Sequence, residues 1–567
     1  HEVKVPASLD GIAYAEPLKL IPDDADEFTK KIIEPSMRNN GDSIPVSAMS
    51  LDGSLPIGTA ALEKRGFAPK VPRWVAANCI QCGICANACP HAAIRTKLFK
   101  VEDLASAPST FETKDAMPKV DGLKFKVQVY VEDCMACGVC LDQCPLRDKE
   151  GKAALVWSTL EAERAAGENA NEKFFESTED NILGKASPNT VKGAMLRKPL
   201  FEFSGACAGC GETPYVKLVS QLFGENMVVA NATGCSSIYS GTFPTIPYTK
   251  TKDGRGPAWA NSLFEDNAEF GFGMRMAVDA NRSTLKQYCD KVLASAEAPA
   301  DLKEAITKAL SFWDNSKTDE TFAAQKAAKE VIAKYAASCD CEVLAKVNEL
   351  SDYFCDKSVW IIGGDGWAND IGYGGIDHVV ASNRNVNILV LDTEVYSNTG
   401  GQASKATPTG AVAKFAAGGK MTYKKNMGFM CMSYGYVYVA SVALGADRAQ
   451  TLKAFQEAEA HNGPSIIFAY APCIAHNIDM SKTQTEQKRA VECGYWPLYR
   501  YNPASEKPFT WDAKAPTGNF QEFIRSEGRY KALLKSNPEA AETLYAKAES
   551  DAAKRMEFYK NIGEIMK

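Results

Sequence analysis

Two runs of four closely spaced cysteines constrain the fold of this chain more than any other feature. The runs read CIQCGICANACP from residue 79 and CMACGVCLDQCP from residue 134. Both follow the pattern C-x2-C-x2-C-x3-C-P, in which the first three thiolates bind one [4Fe–4S] cluster and the fourth binds a second cluster. Zinc sites instead use separate C-x2-4-C arms. We therefore predict two [4Fe–4S] clusters, one bound by Cys79, Cys82, Cys85 and Cys144, and the other by Cys134, Cys137, Cys140 and Cys89.

The overall composition narrows the class of protein. The formal net charge of −6 argues against nucleic acid or an anionic membrane surface as a partner. We find no stretch of about 18 uncharged apolar residues that could span a bilayer. Because eight of the 18 cysteines have metal-type rather than disulfide-type spacing, we predict a reducing, cytoplasmic location. The start, HEVKVPASLD, lacks Met and a signal-peptide pattern, which predicts a piece of a longer protein.

Changes in composition along the chain predict its domains. Residues 1–70, rich in Pro, Gly, Asp and Ser, are predicted to form an extended connecting segment, and residues 156–200 a linker. Between them, residues 71–155 are predicted to form a small ferredoxin-like α+β domain that holds both clusters. From 201 to 480, short β-rich runs alternate with helical stretches, which predicts an α/β fold with a doubly wound parallel sheet. We also predict a helical insert at 285–350 and a helical C-terminal segment at 481–567.

A second candidate site lies where two predicted strands end, in GGDGWAND and in LDTEVYSNTGG. A G-D-G after one strand and an Asn-containing turn after the next resemble the signature of a thiamine diphosphate site. A diphosphate needs a hard cation, and Mg²⁺ prefers oxygen ligands. Asp365, the Thr393 hydroxyl and the Val395 carbonyl would supply them, with Asn398 close to the cofactor. A lone G-D-G is a common turn, and the alternative, a dinucleotide site, would need G-x-G-x-x-G.

A third feature, GACAGCGETPY, contains the C-x-x-C pair Cys207 and Cys210, followed by Glu212. Two thiols do not complete a metal site. The pair is therefore either a redox dithiol or half of a site whose other ligands lie elsewhere in the chain.

Taken in order, the cysteine runs and the motifs GACAGCGETPY, NATGCSSIYSG, GGDGWANDIGYGGIDH and LDTEVYSNTGGQ resemble the C-terminal half of pyruvate:ferredoxin (flavodoxin) oxidoreductase, from about residue 40 to 480. The resemblance implies a third, proximal [4Fe–4S] cluster on Cys207, Cys210, Cys235 and Cys473. It assigns Asn398 and Glu212 to catalysis. It implies that the cofactor is bound by Glu212, Cys235, Gly364, Asp365, Gly366, Trp367, Thr393, Glu394, Val395, Tyr396, Ser397 and Asn398, and Mg²⁺ by Asp365, Thr393 and Val395.

The resemblance also implies a function. It is the reversible oxidative decarboxylation of pyruvate to acetyl-CoA and CO2, with one-electron transfers through three clusters to ferredoxin or flavodoxin. The N-terminal half, as a separate segment or chain, would supply the sites for the aminopyrimidine ring and for CoA, and the whole enzyme would be a homodimer. Two alternatives stay open: an electron-transfer module without catalysis, and a related oxidoreductase that acts on another 2-oxo acid.

The remaining candidate residues have plainer interpretations. His378 could shape the loop near the phosphates, and His476 could tune the proximal cluster, although both could be structural. Glu457 or Glu459 could bind a structural cation, but such a loop is usually only a turn. The other cysteines, including the C-x-C pair in the helical insert, are predicted to be reduced thiols: Cys289, Cys339, Cys341, Cys355, Cys431 and Cys493.

Overall fold

The structure, a computed structural model, describes residue 8 and residues 19–118, 122–147, 152–242, 244–314 and 318–565. The first part, up to residue 200, contains short elements: α1 (Glu34–Met37), β1 (Lys70–Trp74), α2 (Ile84–Ala88), β2 (Ile94–Lys100), β3 (Lys114–Asp115), β4 (Leu123–Val129), α3 (Val139–Gln143), β5 (Leu155–Thr159), α4 (Leu160–Ala165), α5 (Glu168–Ser177) and α6 (Val191–Met195).

The two cysteine runs form a domain with an internal repeat. Each run forms a loop that leads into a short helix, α2 or α3, and the antiparallel strands β2 and β4 follow and precede these loops. The structure differs from the predicted linker at 156–200, because β5 pairs with β1 and α5 packs onto this domain. Phe174 and Phe175 of α5 are buried against Phe99, and burial of such large apolar rings holds the segment in place.

The second part is built around one sheet. Its elements up to residue 480 are α7 (Thr213–Phe223), β6 (Met227–Ala232), α8 (Cys235–Ser237), β7 (Ala258–Ser262), α9 (Asn267–Ala294), α10 (Ala300–Leu310), α11 (Asp319–Ala336), α12 (Glu342–Glu349), β8 (Ser358–Gly364), α13 (Tyr373–Ala381), β9 (Asn387–Asp392), β10 (Val395–Tyr396), β11 (Gln402–Ala403), α14 (Met427–Met432), β12 (Tyr438–Val442), α15 (Arg448–Ala460) and β13 (Ser465–Tyr470). The C-terminal elements are α16 (Thr483–Glu492), β14 (Tyr499–Tyr501), β15 (Phe509–Trp511), α17 (Phe520–Ser526), α18 (Gly528–Ser536) and α19 (Pro538–Ile565).

The sheet has eight strands in the order β15-β14-β12-β13-β9-β8-β6-β7. The six strands from β12 to β7 are parallel, and β14 and β15 add to one edge in antiparallel orientation. Successive residues of β8 enter opposite cores: Val359 and Ile361 face one, and Trp360 and Ile362 face the other. A parallel sheet with a core on each face is the doubly wound architecture that the sequence predicts.

The C-terminal segment differs from its prediction as a helical extension. Residues 499–501 and 509–511 continue the sheet past residue 480, and α17, α18 and α19 cover one of its faces. These strands have only three residues each, too few to show an alternating pattern. The predicted insert at 285–350 is helical as described, but it begins inside the 28-residue helix α9.

The connections at one edge of the sheet create the setting for a site. Strands β6, β8, β9 and β13 are neighbours, and the loops that follow them carry Cys235, Asp365, Thr393 and Cys473. Ligands of open α/β sheets bind at this carboxyl edge. None of the helices in the described ranges is both long and apolar enough to cross a membrane.

Candidate functional site

The cysteines of the two runs surround two separate cavities. Each cavity is lined by three cysteines of one run and by the last cysteine of the other. Cys89 of the first run and Cys140 and Cys144 of the second belong to one buried cluster, so the two loops share one interior. The first cavity is lined by Cys79, Cys82, Cys85 and Cys144, and the second by Cys89, Cys134, Cys137 and Cys140. These are the two sets that the spacing predicts, and their role as ligands remains a prediction.

The two loops have the same backbone conformation. Gln81 and Ala136, at equivalent positions, both have positive φ angles, of 57° and 52°. Gly83 and Gly138 follow at 74° and 80°, immediately before α2 and α3. The left-handed turns wrap each loop around its cavity, and the Gln81 N–H points to the Cys79 sulfur at 3.4 Å. Such N–H contacts stabilise a thiolate that binds a cluster.

The C-x-x-C pair belongs to a third cavity, of about 220 Å³, at the carboxyl edge of the sheet. Cys207 and Cys210 come from the loop before α7, Cys235 follows β6, and Cys473 follows β13. The structure thus brings together all four cysteines of the predicted proximal set. Glu212, Thr393 and Asn398 line the same cavity, together with the apolar side chains Ile238, Ile474 and Met480.

Glu212 has an unusual electrostatic environment. Its side chain is buried, and its Oε2 atom has no hydrogen-bond partner in the described part of the chain. Burial raises the pKa of Glu212 to about 7, and the Tyr239 hydroxyl opposes this only in part. The Glu212 N–H lies 3.4 Å from the Cys210 sulfur, so its backbone faces the cysteine set. A carboxyl group with this pKa can hold or release a proton near neutral pH.

The predicted Mg²⁺ ligands lie together beside this cavity. The Thr393 hydroxyl is 3.0 Å from Asp365 Oδ1 and 3.0 Å from the Val395 carbonyl oxygen. Adjacent oxygens around an octahedral Mg²⁺ are about 2.9 Å apart, so the spacing fits this ion. Burial and the nearby Asp392 carboxylate raise the pKa of Asp365 well above its usual range, a condition that a bound cation would relieve.

The other predicted cofactor residues divide into two groups. Ser397 lies at the shared wall, with its Oγ atom 3.3 Å from the Cys235 sulfur. Gly364 and Gly366 leave the turn after β8 without side chains, and a Cβ on Gly366 would be 2.6 Å from the Tyr396 ring. Side chains of the second group face elsewhere: Trp367 is buried in the core, and the Tyr396 hydroxyl bonds Asp370 at 2.8 Å.

Glu394, also predicted to bind the cofactor, is occupied by a buried charge network. Its carboxylate bonds Lys424 at 3.0 Å and Arg529 at 2.8 Å, and it accepts the Tyr495 hydroxyl at 2.5 Å. The same residue has a positive φ angle of 62°, directly between Thr393 and Val395. The network therefore fixes the turn that carries two predicted Mg²⁺ ligands.

Sequence reasoning missed several residues around the site. Ser404 donates to Asp365 Oδ2 at 2.6 Å, and Lys424 also bonds Asp392 at 2.8 Å. Arg529 comes from α18, far along the chain. None of these residues stands in a motif, so only the tertiary structure identifies them. Ser404 and Arg529 are buried, and the Lys424 side chain is 12% exposed; polar groups with so little exposure usually have specific partners.

The secondary candidates have other partners. His476 is buried with Nε2 2.7 Å from the Thr393 carbonyl oxygen, so it contacts the Mg²⁺ turn. His378 packs edge-on against Phe272. Glu457 bonds Arg500, and Glu459 accepts from Ser358 at 2.6 Å. Among the described residues, no three His, Cys, Asp or Glu side chains are grouped closely enough for a single metal ion.

Several contacts connect the cysteine-run domain to the sheet domain, and two of them lie near the third cavity. The Gly209 N–H, inside the C-x-x-C loop, hydrogen-bonds the Cys137 thiol of the second cavity. Lys217 of α7 extends to the end of α2 and donates to backbone carbonyls there. The third cavity is therefore adjacent to the second, and the two domains form a continuous structure at this point.

Three family matches agree with this division. Residues 78–147 match the 4Fe-4S dicluster domain family, and residues 345–469 match the C-terminal TPP binding domain of thiamine pyrophosphate enzymes. Residues 15–68, predicted here as a connecting segment, match a family described as a domain of unknown function. The predictions of a two-cluster domain and of a thiamine diphosphate fold are confirmed.

Similarity to curated proteins extends over the whole chain. The chain is 52% identical to a pyruvate:ferredoxin oxidoreductase of Moorella thermoacetica, over 100% of this chain and 48% of the relative. It is 46% identical to a pyruvate-flavodoxin oxidoreductase of Nostoc, over 99% of this chain and 48% of that protein. It is 48% identical to the pyruvate-flavodoxin oxidoreductase of Trichormus variabilis, over 94% of this chain and 45% of that protein. The chain thus spans about half the length of these relatives.

Proposed function

Because this chain is homologous over its whole length to pyruvate:ferredoxin and pyruvate-flavodoxin oxidoreductases, we propose that it is the thiamine diphosphate and iron–sulfur half of such an enzyme. The proposed reaction is the reversible oxidative decarboxylation of pyruvate to acetyl-CoA and CO2, with electrons passed singly to ferredoxin or flavodoxin. One observation carries the proposal. The cavity that gathers Cys207, Cys210, Cys235 and Cys473 also contains Glu212, Thr393 and Asn398, so a redox group and a thiamine diphosphate would share one wall.

The residues that would hold each group follow from the three cavities. The two cavities of the dicluster domain would each bind a [4Fe–4S] cluster through four thiolates, and the third cavity would bind the proximal cluster. Asp365, the Thr393 hydroxyl and the Val395 carbonyl would bind Mg²⁺, and through it the diphosphate. Thiamine diphosphate, when bound, supplies the carbon nucleophile that adds to a 2-oxo acid carbonyl.

The side chains of this chain would then position and protect the reacting groups. Ser404 and Thr393 both donate to the Asp365 carboxylate, which fixes its orientation toward the metal. Ile238, Ile474 and Met480 give part of the cavity an apolar lining. Glu212, with its pKa of about 7, would hold or release a proton at Oε2. Asn398 would contribute an amide beside the substrate.

The remaining parts of the enzyme lie outside this chain. We propose that the other half supplies the groups that bind the aminopyrimidine ring and CoA, because the relatives are about twice as long. A homodimer of the whole enzyme, a cytoplasmic location, and ferredoxin or flavodoxin as acceptor complete the proposal. The buried Asp365 and Thr393 pair favours a catalytic chain over an electron-transfer module. The choice between pyruvate and other 2-oxo acids would be made by the other half of the enzyme, which would bind the substrate carboxylate.

The test is metal, cofactor and activity analysis of the enzyme purified anaerobically with its other half. We expect about twelve irons per catalytic unit, from three clusters of four irons each. We also expect one bound thiamine diphosphate and ferredoxin reduction that depends on pyruvate and CoA. About eight irons without thiamine would instead indicate an electron-transfer module. Activity with another 2-oxo acid but not with pyruvate would support the proposed reaction type and would change the proposed substrate.

A further inference from the structure

Lys217 is a buried lysine at the contact between the dicluster domain and α7. Only 2% of the surface of Lys217 is exposed to solvent. Its Nζ atom donates to three backbone carbonyls, those of Ala86, Asn87 and Cys89, the last two at 2.9 and 2.8 Å. An ammonium group has three N–H donors, so this set uses all of them. The hydrogen bonding of Lys217 is therefore complete without any acidic side chain.

The charge of Lys217 is not balanced by an ion pair. Within the described ranges, no salt bridge joins its Nζ atom to a carboxylate, whereas the buried Lys424 has two such partners. The three carbonyls lie at the end of α2, where the helix dipole is negative, but a dipole only partly offsets a full charge. A buried cation without an anion is unfavourable by several kcal/mol, so an anionic group nearby is expected.

The carbonyls that Lys217 binds include that of Cys89 and that of Ala86, the neighbour of Cys85. Burial lowers the pKa of Lys217 to about 8, the charges of Cys89 and Cys85 oppose this shift, and the Arg95 charge adds to it. Cys85 lines the first cavity, and Cys89 lines the second. A [4Fe–4S] cluster with four thiolates is anionic, and each added electron increases its negative charge. Lys217 thus stands between two sites whose charge changes when they are reduced.

We propose that Lys217 is the shared counter-ion of the two clusters and raises the reduction potential of both. The inference rests on the part of the proposed function that places clusters in the dicluster domain. In the redox step, one electron from the external reductant enters a cluster, no covalent bond forms or breaks, and Lys217 keeps its proton. Its fixed positive charge stabilises the more negative, reduced form. The charge acts on both cavities, so both potentials depend on one side chain.

The test is a redox titration of the cluster-loaded chain, followed by electron paramagnetic resonance, with three substitutions. Lys217→Met removes both the charge and the hydrogen bonds, Lys217→Gln keeps an N–H donor without the charge, and Lys217→Arg keeps the charge. We expect Lys217→Met and Lys217→Gln to shift the equilibrium of each cluster about tenfold toward the oxidised form, or about 59 mV for one electron. We expect Lys217→Arg to remain near the unsubstituted potential.

Lys126→Met is the matched control. Lys126 is also buried in the dicluster domain and donates to a backbone carbonyl, that of Glu112, but carboxylates rather than cysteines act on its charge. Its loss should leave both potentials within the error of the titration. Wild-type potentials in Lys217→Gln, with clusters intact, would overturn the inference, and so would an equal shift in Lys126→Met. If Lys217→Met does not fold, Lys217→Gln and Lys217→Arg still decide the question. Absence of clusters from the unsubstituted chain would instead contradict the proposed function.

Discussion

At the scale of single residues, Glu212 gives the clearest prediction of a pH dependence. Its pKa is raised from the ordinary value of 4.5 to about 7 by burial. Between these two values the folded chain holds a proton that the unfolded chain has released. Stability therefore falls as pH rises through this interval, and the loss is complete above about pH 7. A nearby anionic cluster would act in the same direction.

Glu212→Gln should remove this dependence. At pH 8 the variant should be more stable than the parent chain, by at most about 3–4 kcal/mol for a pKa raised from 4.5 to about 7. At pH 5 the difference should be small, because the folded parent is then protonated. Anaerobic thermal unfolding of both cluster-loaded chains at the two pH values is the measurement. Equal Tm values for the parent and the variant at pH 8 would show that ionisation of the buried Glu212 does not destabilise the folded chain.

Thr393 gives a second prediction at this scale. Its hydroxyl is the atom that joins Asp365 to Val395, so Thr393→Val removes one predicted metal ligand without changing the shape of the side chain. We expect Mg²⁺-dependent affinity for thiamine diphosphate to fall by roughly 10- to 100-fold. Calorimetric titration of the assembled enzyme measures this. Thr399→Val is the control, because Thr399 is exposed and bonds only Gln402 and its own turn.

The residues that could be predicted from sequence are those whose partners are local. The cysteine spacing and the Asp365 turn are short motifs; the cysteines line the three cavities, and Asp365 bonds Thr393, which lines the third. Lys217, Lys424 and Arg529 were not found, because their partners lie in distant elements and a single lysine or arginine has no pattern of its own. Glu394 was assigned to the cofactor because it lies in the motif, although its carboxylate bonds the charge network.

At the scale of elements, α18 supports the turn after β9 through one arginine. Arg529, buried at the start of α18, bonds Glu394, Glu527 and the Tyr495 hydroxyl. Arg529→Met should take the arginine partner from the buried Glu527, leave Glu394 with Lys424 as its basic partner, and lower the free energy of unfolding by about 3–5 kcal/mol. Since Glu394 stands between two predicted Mg²⁺ ligands, affinity for thiamine diphosphate should fall as well. Thermal unfolding and calorimetric titration give the two readouts.

The matched control for this substitution is Arg525→Met. Arg525 is in the neighbouring α17, and its Glu542 partner is 60% exposed, so the pair should contribute about 1 kcal/mol or less. Cofactor affinity should be unchanged. If Arg529→Met lost stability but bound thiamine diphosphate as tightly as the parent, the network would support only the fold.

The strands β14 and β15 show where prediction of elements fails. Tyr499–Tyr501 and Phe509–Trp511 are three residues long. The first acquires its strand conformation by pairing with the edge of β12, and the second by pairing with β14. The long strands β8 and β9 are different, because their apolar runs are buried on both faces and are visible in the sequence. The strand conformation of β14 and β15 therefore depends on tertiary pairing, whereas β8 and β9 can be predicted from their local composition.

At the scale of the whole molecule, the C-terminal segment completes the sheet domain. A chain truncated after residue 480 would expose the edge of β12 and the apolar face that α17 to α19 cover. An uncovered edge strand beside an apolar surface promotes aggregation. We expect the truncated chain to be insoluble, and co-expression of residues 481–567 as a separate chain to restore it. Sedimentation and cluster content measure this. A soluble truncated chain that binds thiamine diphosphate would contradict the expectation.

The exchange of the fourth cysteine between the two loops has a consequence for how the dicluster domain is made and lost. Each cavity takes its walls from both runs, since Cys144 completes the first and Cys89 completes the second. Neither cavity therefore has all four of its cysteines until both runs are present. Iron would therefore enter a newly made chain only after the segment up to residue 144 has been synthesised, and oxidation of a single crossing thiol would open one cavity and loosen the loop that frames its neighbour. The two cluster sites of the dicluster domain would therefore form together and be lost together.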